Sequence, residues 1–269
     1  MDALTSLLRA TIELQQSEQL ALFLLFLPIF FFSYWAIKRG TRPNLRPIPG
    51  YDALKRLLAQ SAEAGRPVHL SLGTGGIGDA STADTMAGLT VLEYLADRAA
   101  ISATPPIVTT ANPTALPVAQ DLLRRAYSRH GYPEEYDPAR ARLVATNPTL
   151  TPGGENLAYG AGAMRLIARH GLIANVMIGR FGDEYLLLGE TGAQRGVKQI
   201  GGTSSERVLP FVRATVDHPL IGEEIYAGGA YLSDKPAHLA SLLAQDVTRW
   251  LLVVGIIAAA LLKTVGVLR

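Results

Sequence analysis

The sequence predicts an α/β fold: a Rossmann-like three-layer domain with a mainly parallel sheet, flanked by N- and C-terminal transmembrane helices. Two long apolar stretches, Leu20–Ile37 and Trp250–Leu262, lie near the two ends of the chain. Between them, short apolar runs alternate with longer segments of helical periodicity. Strands that alternate with helices need crossover connections, which favour a parallel sheet covered by helices on both faces.

The first apolar stretch is long enough to cross a bilayer. Leu20–Ile37 carries no charge and would span about 27 Å as a helix. Tyr34 and Trp35 stand near its end, where aromatic rings favour the membrane interface. A cleaved signal peptide is the alternative, but the run exceeds a signal core and no small-residue cleavage site follows. We expect an amphipathic arm at 1–18 and a transmembrane helix at 19–39.

The second apolar stretch is shorter, and Lys263 interrupts its continuation. A lysine near a helix end can extend its ammonium group to the headgroups, so a span remains feasible. A buried core helix is the alternative. Because no helix breaker precedes the stretch, we predict one long helix over 236–269 that ends in a second transmembrane helix at about 250–268.

The distribution of basic residues predicts the orientation. Arg9 alone precedes the first span, whereas six basic residues follow it within twenty positions: Lys38, Arg39, Arg42, Arg46, Lys55 and Arg56. Such residues concentrate on the cytoplasmic side of membrane helices. The sequence therefore predicts a protein of the cell (inner) membrane, with the lipid bilayer as partner, the soluble domain in the cytoplasm and both termini outside.

Composition excludes several classes of function. The chain has no cysteine, so disulfides, thiolate catalysis and cysteine-ligated metal sites are ruled out. The net charge of +2 comes from mixed charges without a long basic run, so no nucleic-acid partner is predicted. A proline-rich linker at 40–50 precedes a cytoplasmic α/β domain at 51–235.

Within this domain the pattern predicts five strands and seven helices. The strands are Val68–Leu72, Pro106–Ala111, Arg142–Thr146, Ile173–Gly179 and Val197–Gly201. The helices are Tyr51–Ala64, Thr82–Ala100, Leu116–His130, Glu155–His170, Asp183–Gln194, Ser205–Val216 and Leu220–Leu232. The segment 183–194 has an alternative, because Gly182-Asp183 could turn a hairpin.

A glycine-rich loop is the sharpest motif. Gly73-Thr74-Gly75-Gly76-Ile77-Gly78 matches G-x-G-x-x-G between a predicted strand and a predicted helix. Such glycines let backbone amides approach a phosphate at a helix N-terminus. The pattern departs from the dinucleotide fingerprint, because a capping box at Ser81–Asp84 starts the helix late and no carboxylate ends the second strand. A tight structural turn remains the alternative.

Two similar loops end the second and third predicted strands. Ala111–Pro117 and Thr146–Pro152 share the pattern N-P-T-x-x-P. Their asparagine and threonine side chains could bind a ligand or cap the following helices, and the sequence leaves both open. Because parallel strands end at one edge of a sheet, the loops predict a shared binding site. The predicted ligand-binding residues are Gly73, Thr74, Gly75, Gly76, Gly78, Asn112, Thr114, Asn147 and Thr149.

No motif predicts catalysis. The five histidines are scattered, and no metal site or catalytic residue is predicted. His69 lies within a strand, where a hydrogen-bonded core residue is the simpler interpretation. Arg180 and Lys198 lie near strand ends and could each pair with an anion, but neither is assigned to the site. The cofactor, if there is one, stays unknown.

The order of parts resembles an uncharacterised family of bacterial two-span membrane proteins that carry a single α/β domain of unknown function. The resemblance rests on HLSLGTGGIGD, the two NPT loops, QIGGTSS and IGEEIYAGGAYL, between two apolar spans. It covers nearly the whole chain. It implies an architecture and no activity, so no functional residue is transferred from it.

Three functions are compatible with this sequence. The favoured one is a membrane-anchored domain that binds a small anionic or phosphorylated ligand, as a sensor or accessory subunit. The second is a nucleotide-cofactor-dependent enzyme of the doubly wound type. The third is a membrane scaffold without a ligand, a homo-oligomer or a subunit of a membrane complex, for which the small residues near Gly222–Ala230 would provide close packing.

Overall fold

The computed structural model describes residues 14–144, 154–233 and 235–264. It divides the chain into two compact units. One is an α/β unit formed by residues 46–233. The other, the terminal unit, consists of residues 1–45 and 234–269.

A six-stranded parallel sheet forms the centre of the α/β unit. Its strands are β1 (Val68–Gly73), β2 (Ile107–Thr110), β3 (Ala141–Leu143), β4 (Ala174–Arg180), β5 (Lys198–Thr203) and β6 (His218–Ile221). They lie in the order β3-β2-β1-β4-β5-β6, and each neighbouring pair is parallel. Strands β1 to β3 therefore follow one another toward one edge of the sheet, and strands β4 to β6 follow one another toward the other edge.

Helices cover the sheet. Those of the α/β unit are α2 (Pro49–Ala64), α3 (Thr82–Ser102), α4 (Ala115–Arg129), α5 (Gly154–Arg169), α6 (Glu184–Gln194), α7 (Leu209–Thr215) and α8 (Gly228–Ser233). Helices α2, α4 and α8 pack against α3, and α6 packs against both α5 and α7. Right-handed crossovers place these two groups on opposite faces of the sheet.

Most elements agree with the sequence-based prediction, and residues 184–194 form a helix rather than a hairpin. A helix is predicted over Ser205–Val216, but α7 is shorter and begins only at Leu209.

The predicted helix Leu220–Leu232 is wrong in its first half. Residues His218–Ile221 form β6, a 3-10 helix follows over Gly222–Ala227, and α8 begins at Gly228. Pro219 lies in the edge strand β6, where a missing amide hydrogen is tolerated.

The two central strands are buried on both sides, as a sheet between two helical layers requires. Leu70 and Leu72 of β1 are fully buried, and α3 approaches this part of the sheet closely at Gly88. A Cβ atom at Gly88 would lie 2.4 Å from the carbonyl oxygen of Ile178. The opposite face packs on Tyr159, Tyr185 and other buried side chains of α5 and α6.

A ladder of polar side chains crosses that second face. The Nδ1 atom of His69 lies 2.8 Å from Oδ1 of Asn175, and its Nε2 atom lies 3.0 Å from Oγ1 of Thr109. Asn175 Nδ2 donates to Gln199 Oε1 over 3.1 Å. These four side chains come from β2, β1, β4 and β5 and are buried. Buried polar groups need such partners, because an unpaired one costs about 1–3 kcal/mol.

The donor and the acceptor of each bond in the ladder can be assigned by starting from Gln199, at one end of the ladder. Gln199 Nε2 must donate, because both of its other partners are backbone carbonyls, those of Gly189 and Thr215 at 2.8 Å. The amide oxygen of Gln199 therefore accepts from Asn175, whose own oxygen accepts from His69. His69 is thus protonated on Nδ1. Because desolvation lowers the pKa of His69 to about 4, Nε2 carries no proton at neutral pH and accepts from Thr109. This geometry confirms the prediction that His69 is a hydrogen-bonded core residue.

The terminal unit contains the two apolar helices, α1 (Leu14–Lys38) and α9 (Pro236–Thr264), which pack against each other. Both are long and apolar enough to cross a membrane. Their buried residues are small, namely Ser33, Ala240 and Ala244, whereas most of the large apolar side chains are exposed and the others are partly exposed. The apolar window of α9 has no buried residue, so α9 is not the core helix considered as an alternative. Residues 1–13 of the predicted arm and 265–269 of the predicted long helix lie outside the described residues.

Acidification is expected to destabilise the fold through His69. Desolvation lowers the pKa of His69 to about 4, from 6.5. The unfolded chain then binds the proton more tightly, so stability is complete above pH 6.5 and is lost as pH falls from about 6.5 to about 4. The loss amounts to about 3 kcal/mol. Thermal unfolding of the full chain, followed by circular dichroism in detergent at several pH values, measures it.

The variant His69→Gln should unfold at a lower temperature at pH 7.5 and depend less on pH between 6.5 and 4. His130→Gln is the matched control, since His130 caps the C-terminus of α4 outside the ladder. Equal pH dependence in the wild type and His69→Gln would contradict the assignment.

Candidate functional site

The glycine-rich loop lies where the strand order reverses. Gly73 ends β1 and is paired in register with Arg180, the last residue of β4. Gly73 has a φ of +74°, and a Cβ atom there would lie 2.0 Å from the carbonyl oxygen of Arg180. The amide of Thr74 donates to the same oxygen over 2.9 Å. Glycine is therefore required here by both backbone conformation and space.

Hydroxyl groups already accept from four consecutive amides, the last three of this loop and the one that follows it. The donor–acceptor pairs are Gly76 N to Ser81 Oγ (2.9 Å), Ile77 N to Thr114 Oγ1 (2.8 Å), Gly78 N to Thr82 Oγ1 (2.9 Å) and Asp79 N to Thr82 Oγ1 (3.1 Å). The loop is thus held in place by the residues that follow it and by Thr114 of the neighbouring loop. A ligand that uses these amides would have to displace hydroxyl oxygens.

The predicted capping box at Ser81–Asp84 is not formed. The Ser81 hydroxyl makes no capping bond to the helix. It accepts from Gly76 and donates to Oδ1 of Asp79 over 2.5 Å. The Ser81 amide donates to the same oxygen over 2.7 Å. These two bonds lower the pKa of the exposed Asp79 carboxyl, so a negative charge sits in the loop.

The first NPT loop lies beside the glycine loop. Oδ1 of Asn112 accepts from the amide and the hydroxyl of Thr114, over 2.9 and 2.8 Å. A Cβ atom at Gly76 would lie 2.3 Å from Nδ2 of Asn112, so the two loops are in close contact. Asn112 therefore makes a local turn just before α4. Thr114, the N-cap residue of α4, makes no side-chain capping bond to the helix.

The structure brings together seven of the nine predicted ligand-binding residues: Gly73, Thr74, Gly75, Gly76, Gly78, Asn112 and Thr114. The other two, Asn147 and Thr149 of the second NPT loop, lie outside the described residues. Ligand binding by the nine residues stays a prediction.

A charged cluster, which the sequence did not assign, borders the glycine loop. It consists of Asp84, Arg180, Ser204 and Tyr226. The Asp84 carboxylate, almost fully buried, accepts from the Tyr226 hydroxyl over 2.5 Å and from the Ser204 hydroxyl over 2.8 Å. One oxygen of Asp84 lies 3.6 Å from Nη1 of Arg180. Burial raises the pKa of Tyr226, and its bond to Asp84 raises it further, so Tyr226 remains a donor.

Arg180 is the exposed charged member of this cluster. Half of the Arg180 side chain is exposed, at 49%, while the Asp84 side chain is only 4% exposed. One carboxylate oxygen of Asp84 thus lies at ion-pair distance from the guanidinium group of this half-exposed side chain. A guanidinium group held in this way can bind a carboxylate or phosphate in a bidentate fashion.

A second buried acid lies just beyond the end of β4. Glu184 begins α6, and its Oε1 atom accepts from the amide of Gly182 over 2.8 Å. Its Oε2 atom has no hydrogen-bond partner among the described residues. Burial raises the pKa of the Glu184 carboxyl.

The sequence does not predict the charged cluster, for reasons that can be identified. Asp84 had the spacing of a capping residue, and Tyr226 lay in a segment predicted to be a helix. Arg180 was noticed at a strand end, but the sequence does not reveal that β4 pairs with β1. Among the described residues there is no group of three metal-ligating side chains.

The family model of a domain of unknown function, DUF6754, matches residues 9–269. The chain belongs to this family. The match includes the α/β unit and both apolar helices of this DUF6754 chain. The predicted resemblance to a family of unknown function is confirmed, while bacterial origin and two-span architecture stay predictions. Comparisons with curated proteins and with solved structures give no match.

Loss of the Asp84 carboxylate is expected to destabilise the DUF6754 chain. In Asp84→Ala the hydroxyls of Ser204 and Tyr226 lose their acceptor, and Arg180 loses its anchor. The expected cost is about 2 kcal/mol, measured by thermal unfolding of the full chain. Asp84→Asn should cost less, because the amide oxygen still accepts one bond.

Asp121→Ala provides a matched control, since Asp121 pairs with Arg124 and Arg125 on the exposed side of α4. Its loss should change stability by less than about 0.5 kcal/mol. Equal effects of Asp84→Ala and Asp121→Ala would contradict a structural role for the cluster.

Proposed function

We propose that this chain is a membrane-anchored cytoplasmic α/β domain that binds a small anionic or phosphorylated ligand at the carboxyl edge of its sheet, as a sensor or accessory subunit. The fold is Rossmann-like in this proposal, because the order β3-β2-β1-β4-β5-β6 is that of doubly wound nucleotide-binding folds. In such sheets the ligand lies outside the carboxyl ends of the strands, where the order reverses.

One observation carries the proposal. At the reversal, between β1 and β4, the half-exposed guanidinium group of Arg180 lies beside the glycine loop. A Cβ atom at Gly75 would lie 2.8 Å from Cβ of Arg180, so the cation and the loop form one surface. A positive group, small residues and hydroxyls at this position suit a ligand with a carboxylate or phosphate group.

Two features limit the strength of binding. The negative charge of Asp79 lies in the loop and opposes an anion. The amides of Gly76 and Gly78 are already bonded to hydroxyls. We therefore assign the main contact to Arg180, with the hydroxyl of Thr74 nearby, and expect the loop amides to contribute only if Ser81 and Thr82 turn away.

Calorimetric titration of the full chain in nanodiscs against inorganic phosphate and a panel of nucleotides tests this proposal. Arg180→Gln should weaken binding of the best ligand about tenfold, because one charge-assisted contact is lost. Asp79→Asn should tighten it, since the repelling charge is removed while Oδ1 can still accept from Ser81.

Arg195→Gln is the matched control, because Arg195 follows α6 at the opposite edge of the sheet. Flat titrations for every anion, or an equal effect of Arg180→Gln and Arg195→Gln, would reject the proposal.

The strand order also favours the second candidate, a nucleotide-cofactor-dependent enzyme. Against it, β2 is followed by Ala111 and Asn112 rather than by the carboxylate that holds a ribose in dinucleotide folds. Absorbance of a bound flavin or nicotinamide in the purified protein would favour the enzyme.

Membrane anchoring rests on α1 and α9. Most of their large apolar side chains are exposed, as the surface of a lipid-facing helix pair would be. At the end of α1, the guanidinium group of Arg39 lies 3.4 Å from the ring centre of Trp35, and the ammonium group of Lys38 lies 5.0 Å from that of Tyr34. Aromatic and basic residues stacked in this way are typical of a membrane interface.

Because the chain has no cysteine, single introduced cysteines can report the orientation. We expect Ser6→Cys and Leu268→Cys to react with a membrane-impermeant maleimide on intact bacterial cells. Ser128→Cys, on the exposed surface of α4, should react only after the membrane is permeabilised. Labelling of Ser128→Cys from outside, or release of the chain by alkaline carbonate, would refute the proposed placement.

A further inference from the structure

A groove of about 400 Å³ lies between α2 and α3, away from the glycine loop. Val68, the first residue of β1, and Pro106, just before β2, line its end. Both positions belong to the amino edge of the sheet, whereas the glycine loop lies at the carboxyl edge. A volume of this size is within the range of small-molecule sites.

The walls of the groove are mostly apolar. They are formed by aliphatic side chains of α2 and α3 together with the ends of two strands: Leu58, Ala59, Ala62, Val68, Leu95, Ala99 and Pro106. The serine and threonine hydroxyls on the walls are already bonded. Ser61 donates to the carbonyl of Arg66, and Ser102 lies 2.8 Å from the hydroxyl of Thr104. The walls therefore suit an apolar body and offer few open hydrogen-bonding groups to it.

Two exposed cations stand on the groove, Lys55 from α2 and Arg98 from α3. Neither forms an ion pair within the residues that the structure describes. The guanidinium group of Arg98 lies 5.5 Å from the ring centre of Tyr94, which also lines the groove. By contrast, the nearby Arg129 pairs with both oxygens of Asp97 at 3.0 Å. The unmatched charge of the groove is therefore positive.

We propose that this groove binds an anionic amphiphile, a single alkyl chain with one carboxylate or phosphate head. The alkyl chain would remove the apolar walls from water, and the head would pair with Lys55 and Arg98. Charge complementarity decides for an anion, because the walls alone would accept a neutral apolar molecule equally well. This site is separate from the one at the glycine loop and does not depend on the function proposed for it.

Photolabelling of the full chain in phosphatidylcholine nanodiscs tests the proposal. The probe is a decanoic acid that carries a diazirine in its alkyl chain. We expect adducts on peptides of α2 and α3, identified by mass spectrometry and competed by unlabelled decanoate or decyl phosphate but not by decanol. Stronger competition by decanoate assigns a carboxylate head, and stronger competition by decyl phosphate assigns a phosphate head.

Different substitutions test the contribution of the two cations and that of the apolar groove. Lys55→Gln and Arg98→Gln should each reduce labelling about tenfold, as expected for loss of one charge-assisted contact. Ala59→Trp should abolish labelling by filling the groove. Arg56→Gln is the matched control, because Arg56 is an exposed neighbour on α2 that does not line the groove. Thermal unfolding verifies that each variant is folded.

Labelling confined to the apolar helices α1 and α9 would overturn the proposal. Equal competition by decanol and decanoate would also overturn it. So would labelling of Lys55→Gln and of Arg98→Gln at the level of the wild type. Because decanoate and decyl phosphate are tested without nucleotides, the outcome is independent of anion binding at Arg180.

Discussion

The close pairing of β1 with β4 is the constraint on which the rest of the α/β unit depends. The two strands come from distant parts of the sequence, yet backbone atoms of one approach the other so closely that side chains do not fit at the junction. Gly73 of β1 lies against β4, where a Cβ atom would be 2.0 Å from the carbonyl oxygen of Arg180. Gly179 of β4 lies against β1, where a Cβ atom would be 2.2 Å from the carbonyl oxygen of Leu72. This junction fixes where the sheet reverses its order. It therefore also places the glycine loop beside Arg180 and Asp84.

The sequence reveals the elements better than their pairing. Alternating apolar runs and helical periods locate the first five strands, because burial on both faces requires continuous apolar residues. The sixth strand escaped this reasoning, since His218 and Pro219 resemble a turn. It is an edge strand of four residues, where hydrogen-bonding and burial requirements are relaxed. Four residues that include a histidine and a proline carry too little apolar pattern to be distinguished from a loop.

The candidate site was predictable only in part, for the same reason. The glycine loop and Asn112 follow strands directly, so their place at the sheet edge follows from local pattern. Asp84, Ser204 and Tyr226 meet through contacts between residues more than 100 positions apart. Nothing in the local sequence of Asp84 distinguishes a helix cap from a buried acceptor. Long-range packing decides between them, because Ser204 and Tyr226 supply the donors that a helix terminus would otherwise provide.

The polar ladder on the second face bears on how the sheet assembles. His69, Asn175 and Gln199 occupy directly opposed positions on β1, β4 and β5. A shift of β4 by one residue would turn Asn175 to the other face and leave Nδ1 of His69 and Oε1 of Gln199 buried without their partner. Misaligned sheets are thus penalised at several strands at once. Apolar side chains alone would discriminate less, because Val, Ile and Leu tolerate exchange of neighbours. The ladder selects one alignment of the central strands during folding.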